Sequence, residues 1–145
     1  MIGLLQRVAE ASVRVDGRET ARIGPGLLVL VAVQPDDTAQ KTERLAERLL
    51  SYRVFPDEQQ RMNRSLRDTG FGLLLVPQFT LAADTKKGTR ASFTRAAPPE
   101  MGREYFDLLL ENCRESLPQT AAGEFGANMQ VALINDGPVT FWLEA

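Results

Sequence analysis

At 145 residues, with 43% hydrophobic and 25% charged content, the chain suits one well-filled core, and residues 1–145 read as a single domain. It contains no histidine and one cysteine, which excludes Ser–His and Cys–His nucleophile pairs, a histidine general base and the usual zinc ligand sets; no metal or cofactor is expected. A formal charge of −2 argues against coating nucleic acid through bulk charge and leaves room only for a local basic patch.

Ile2–Val8 and Ser12–Asp16 read as two strands, with Asp16-Gly17 as a tight turn into a further strand, Arg18 to Ile23. After Gly24-Pro25-Gly26, the continuous apolar run Leu27–Val33 predicts a strand covered on both faces at the centre of a sheet. Asp36-Asp37-Thr38 offers N-caps for a helix to about Tyr52, with Thr42, Leu45, Leu49 and Tyr52 at helical spacing and the Lys and Arg residues on a solvated face. Val54–Pro56 suggests a short strand, followed by a loop carrying Arg61, Arg64 and Arg67, which either solvate the surface or contact RNA.

The stretch from Phe71 to Phe79 is the next strand, and Ala82–Arg95 is a long polar loop of the kind that often carries function. Pro98-Pro99-Glu100 suits the first turn of a helix to about Leu117, with Phe106, Leu109, Leu110 and Cys113 as its buried stripe. Cys113 is therefore expected to pack rather than react. Asn128–Ile134, a turn Asn135-Asp136-Gly137-Pro138 and Val139–Leu143 predict a closing hairpin. No apolar run reaches the length of a membrane span, and Met1–Arg7 lacks the features of a signal peptide, so a cytoplasmic location without membrane contact is expected.

Two stretches have the character of sites. In Pro77-Gln78-Phe79-Thr80-Leu81 the strand ladder stops, so consecutive backbone N–H groups can face a ligand oxygen, as in an oxyanion hole. In Asn135-Asp136-Gly137-Pro138-Val139-Thr140, a residue without a side chain beside a rigid ring leaves carbonyls exposed and able to receive an ammonium group. Taken singly, each also fits an ordinary strand exit or an ordinary turn.

Together with the opening segment Met1–Gly17, the segment Ala83–Glu100 and the closing Asn135–Glu144, these motifs resemble the D-aminoacyl-tRNA deacylase family from end to end. The resemblance implies a single-domain α/β fold, a curled, barrel-like mixed sheet with outer helices. It also implies a homodimer that hydrolyses the ester joining a D-amino acid or glycine to the terminal adenosine of tRNA. The 2′-hydroxyl of that ribose would help to activate water, which accords with the absence of histidine. In the catalytic segment Gln78, Phe79 and Thr80, the N–H groups of Phe79 and Thr80 would stabilise the oxyanion, while Gln78 and the Phe79 ring shape the pocket. Gly137 and Pro138 of the second subunit, joined by a cis bond, would meet the substrate amine and reject an L side chain, with Asn135 in the same substrate-binding segment. Arg7 would brace that segment, and Phe125 and Met129 would line the adenine pocket. Lys86, Lys87 and Arg90 on the adjoining loop would meet phosphates of the acceptor end, or merely be solvated.

Thr80 as a covalent nucleophile is disfavoured because no base is evident for it; Asp84 and Lys86 lie on the following loop. The departure from the family pattern is Pro77, in the substrate-binding region, where serine is usual: the hydroxyl and one N–H are lost, while the N–H groups of Gln78, Phe79 and Thr80 remain. Two alternatives follow, a catalytically silent dimer that binds the tRNA end and a related enzyme that edits L-alanyl-tRNA.

Overall fold

The computed structural model describes all residues from Met1 to Ala145. Its backbone is a mixed sheet curled into a nearly closed barrel with three helices. The strands are β1 (Ile2–Val15), β2 (Arg18–Ile23), β3 (Gly26–Ala32), β4 (Phe55–Pro56), β5 (Met62–Arg64), β6 (Gly72–Pro77), β7 (Ala121–Ala122) and β8 (Met129–Glu144). The helices are α1 (Ala39–Ser51), α2 (Leu66–Thr69) and α3 (Pro99–Ser116).

β3 pairs antiparallel with β1 on one edge and parallel with β6 on the other, so it sits at the centre as its apolar run requires. Its side chains alternate between two cores. Leu27, Val29 and Val31 point with Leu73 and Leu75 of β6 into a cluster shared with Leu45, Leu49, Phe106 and Leu109 of the helices. Leu28, Leu74 and Val76 point the other way, against Val8, Ala11 and Val13 of β1. The period-two geometry of a strand thus converts one unbroken apolar run into two packed faces. β3 and β6 approach so closely at Gly26 that an added Cβ would lie 1.9 Å from the Gly72 carbonyl oxygen, which only glycine permits.

α1 begins at Thr38, whose hydroxyl accepts from the Lys41 N–H at 3.2 Å. Asp37, another N-cap candidate, is instead buried and takes the Met1 amine and the Gln34 N–H. Thr42, Leu45 and Leu49 face the core while the basic residues stay outside. Cys113 is fully buried on α3, and burial pushes its thiol pKa up to about 12.

Three local expectations need correction. The two opening strands are one, because β1 runs unbroken from Ile2 to Val15, pairing first with β3 and then with β2. The closing hairpin is likewise one strand: β8 pairs antiparallel with β1 from Met129 to Glu144, and Asn135–Pro138 is no turn. Gln6 pairs with Thr140 and Val8 with Asn135, so Arg7 alone faces the four residues Asp136–Val139, which bulge out of the ladder. The arginine-bearing loop after Val54 is folded, with Arg64 at the end of β5 and Arg67 in α2.

Candidate active site

The carboxyl ends of the parallel strands β3 and β6 open into a cleft of about 760 Å³. Val31, Val76 and Pro77 form its floor, Gly102 and Phe106 of α3 one wall, Phe93 another, and Phe125 and Met129 a third. A ligand site at this end of parallel strands is the position that sheet topology favours.

Pro77 pairs with Val31 as the last residue of β6, and the Gln78 N–H donates to the Val31 carbonyl at 2.7 Å. Of the three N–H groups expected to remain available here, that of Gln78 is therefore committed to the sheet. A single 3-10 turn, Phe79–Ala82, follows at once; its first internal bond runs from Leu81 N–H to the Gln78 carbonyl at 3.2 Å. The N–H groups of Phe79 and Thr80 precede that bond, as the first donors of any helical turn do, and Gln78 supplies no side-chain cap. The same alternation accommodates proline. Because position 78 donates toward β3, position 77 faces the opposite edge, where β7 has already ended its pairing at Leu75.

The Phe79 ring is 54% exposed and packs against Phe93 at 5.2 Å between centroids, so the two rings stand together at the mouth. Gln78 donates through its side-chain amide to the Thr80 hydroxyl. Asp84 is engaged in its own loop, where a carboxylate oxygen accepts from the Lys86 N–H at 3.0 Å and its backbone pairs with Ser92. That pairing closes the loop that displays Lys86, Lys87 and Arg90, all exposed and outside every ion pair of the chain.

Phe125 lies on α3 where Gly102 leaves room; a Cβ at Gly102 would meet its ring at 3.1 Å. Its neighbours are Phe106, at 6.5 Å between centroids, and the Arg103 guanidinium, 4.9 Å above its ring. Sequence reading picked out Pro77, Gln78, Phe79, Phe125 and Met129 in this cleft and missed Phe93 and Gly102; Thr80, named with them, is exposed and does not line the cleft. Phe93 sat within the long loop as one aromatic among polar residues, which was the available signal.

Gly137, Pro138, Asn135 and Arg7 are absent from this cleft and gather elsewhere. The Gly137-Pro138 bond is cis, and Gly137 has φ +130°, a conformation L side chains rarely adopt. Arg7, only 13% exposed, donates through Nε to the Asp136 carbonyl at 2.9 Å and through Nη1 to the Val54 carbonyl at 2.6 Å. Asn135 donates to the Gln6 side-chain oxygen at 3.2 Å. Arg7 pairs with Leu27, whereas the cleft floor lies at Val31, four residues on, so the bulge stands about 13 Å along the strands from the floor.

The strand-end segment and the bulge coincide with a match over residues 4–144 to the family described as D-Tyr-tRNA(Tyr) deacylase. The chain belongs to that family. A D-aminoacyl-tRNA deacylase of Alkalilimnicola ehrlichii is 65% identical, covering 100% of this chain and 97% of the relative. That of Thioalkalivibrio sulfidiphilus is 62% identical over 99% of this chain and 97% of its own. Among solved structures, the c-Myc DNA unwinding element binding protein superposes with a TM-score of 0.95 at 37% identity, covering 100% of this chain and 99% of the other. A probable eukaryotic D-amino acid tRNA deacylase superposes with 0.90 at 17% identity over 99% and 98% of the two chains, a likeness of fold. No helix is long and apolar enough to cross a membrane.

Proposed function

We propose that this chain hydrolyses D-aminoacyl-tRNA, and glycyl-tRNA, to free amino acid and tRNA as a proofreading step in translation. The observation that carries the reading is the ending of β6: a turn starts at Phe79, which lines the cleft, and the N–H groups of Phe79 and Thr80 are used by no helical bond. Water attacks the ester carbonyl carbon, the bond to the ribose 3′ oxygen breaks, and that oxygen leaves with a proton. The two N–H groups stabilise the oxyanion, and the 2′-hydroxyl of the substrate helps to activate the water. Phe125 and Met129 receive the adenine, which aromatic and thioether surfaces suit.

The bulge serves a second copy of the chain. It lies at the far end of the sheet from its own cleft, and β8 pairs with β1 on one edge only. β8 also exposes Ile134, Phe141 and Trp142, more apolar surface than an isolated strand normally presents. In the homodimer the carbonyls around Gly137 and Pro138 face the amine in the other subunit's cleft and leave no room for an L side chain, so selection works by rejection.

Deacylation of D-tyrosyl-, L-tyrosyl-, glycyl- and L-alanyl-tRNA by the purified protein tests the reading. Rapid loss of the D and glycyl esters with L-tyrosyl spared is expected. Turnover of none of them, or of L-alanyl-tRNA alone, would overturn it.

A further inference from the structure

Arg103 is one of the cations outside every ion pair of the chain, and its guanidinium lies against two residues of the cleft wall. Elsewhere on the surface Arg22, Lys41, Arg44 and Arg64 each hold a carboxylate three to six residues away. Arg103 has Glu100 and Asp107 within one turn of its own helix, at the i−3 and i+4 positions where such pairs form. It pairs with neither, nor with the adjacent Glu104 or the exposed Glu124, and makes no hydrogen bond. Its guanidinium lies over the Phe125 ring at 4.9 Å instead. One terminal nitrogen comes within 4.0 Å of where a Cβ on Gly126 would be, and both Phe125 and Gly126 line the cleft. A guanidinium above a ring, with no carboxylate partner, keeps its N–H donors available, and those donors match the oxygens of a phosphate.

Granted the deacylase function proposed above, we infer that Arg103 forms a phosphate subsite at the cleft rim, where it binds the backbone phosphate next to the terminal adenosine. The Phe125 ring that receives the adenine also carries the guanidinium, so base and phosphate are registered by one platform fixed against α3 at Gly102. The Asp84–Ser92 loop leads directly to Phe93, which lines the cleft. Lys86, Lys87 and Arg90 on that loop add further unpaired positive charge for the incoming strand. A planar guanidinium fork orders the strand where a lysine acts as a point charge.

The test compares an ester that carries phosphates, D-tyrosyl-tRNA, with one that has none, D-tyrosyl-adenosine, in the wild type, Arg103→Gln and Arg103→Lys. For Arg103→Gln the KM for the tRNA ester should rise about 10-fold with kcat within about twofold, the size expected for one charge-assisted pair. The slope of log KM against log salt should shrink by about 0.7, one single-strand phosphate contact. The loss on the adenosine ester should be at most one fifth of that on tRNA, and Arg103→Lys should restore the salt slope but only part of the affinity. An equal loss on both esters would assign Arg103 to packing of Phe125 and overturn the subsite, as would an unchanged KM and slope on tRNA. Should the wild type cleave neither ester, the deacylase function fails instead. Fluorescence titration with the trinucleotide CCA and with adenosine then decides the subsite by itself: a loss of CCA affinity alone in Arg103→Gln supports it, and equal affinities overturn it.

Discussion

At Pro77 strand β6 ends for good, whereas at Asn135 strand β8 leaves its ladder and resumes it at Thr140. The first interruption borders a concave, mostly apolar cleft, and its free groups are donors. The second is an exposed segment held by Arg7, which binds the Asp136 carbonyl. The cleft and the protrusion lie at opposite ends of one sheet, about 13 Å apart along the strands. In the homodimer proposed above, the donors of one copy and the carbonyls of the other would meet different atoms of one substrate, the ester oxygen and the amine.

The largest expected effect comes from adding a methyl group at the protrusion. Gly137→Ala places a Cβ 2.9 Å from a Val139 methyl and 3.1 Å from an Arg7 nitrogen, at a φ that alanine avoids. Displacing the carbonyls by about 1 Å should lower kcat/KM for D-tyrosyl-tRNA about 100-fold. Mixing this variant with Phe79→Pro, which removes an N–H from the cleft, sharpens the comparison. If cleft and protrusion come from different subunits, re-assorted dimers contain one intact combination and should recover about one quarter of wild-type turnover. No recovery after verified exchange would place both regions in the service of one chain.

Arg7→Ala removes the bonds to Asp136 and Val54 and loosens the protrusion while leaving the cleft alone. About 10-fold lower kcat/KM is expected, with a drop of about 1–3 kcal/mol in stability by urea titration. Pro77→Ser acts at the other region and should change turnover by less than about threefold, because the position-77 N–H faces an edge that no strand occupies. A large gain would mean that the hydroxyl, and not the backbone, governs the cleft. Smallest of all is Cys113. With its thiol pKa pushed up to about 12 by burial, almost no thiolate forms at pH 8, so a thiol-specific reagent should label the native protein negligibly and leave deacylation unchanged. Labelling should become complete only in denaturant.

Local pattern alone determined the central strand and both long helices with their buried faces, while the two candidate site segments stood out only through the resemblance of the whole chain to a family. Each of those elements depends on neighbours two to four residues away, at the period of a strand or a helix. Tertiary structure decided how the ends of the chain are used. Asn135-Asp136-Gly137-Pro138 has the composition of a turn, and read locally it closes a hairpin. It becomes a bulge because β1 supplies a pairing partner on both sides of it, and only a strand more than a hundred residues away can do so. Phe125 likewise reaches the cleft because α3 carries a glycine at position 102, and the Arg103 guanidinium lies over that ring. Sequence periodicity records which face of an element is buried, whereas contacts between distant elements settle what that face meets.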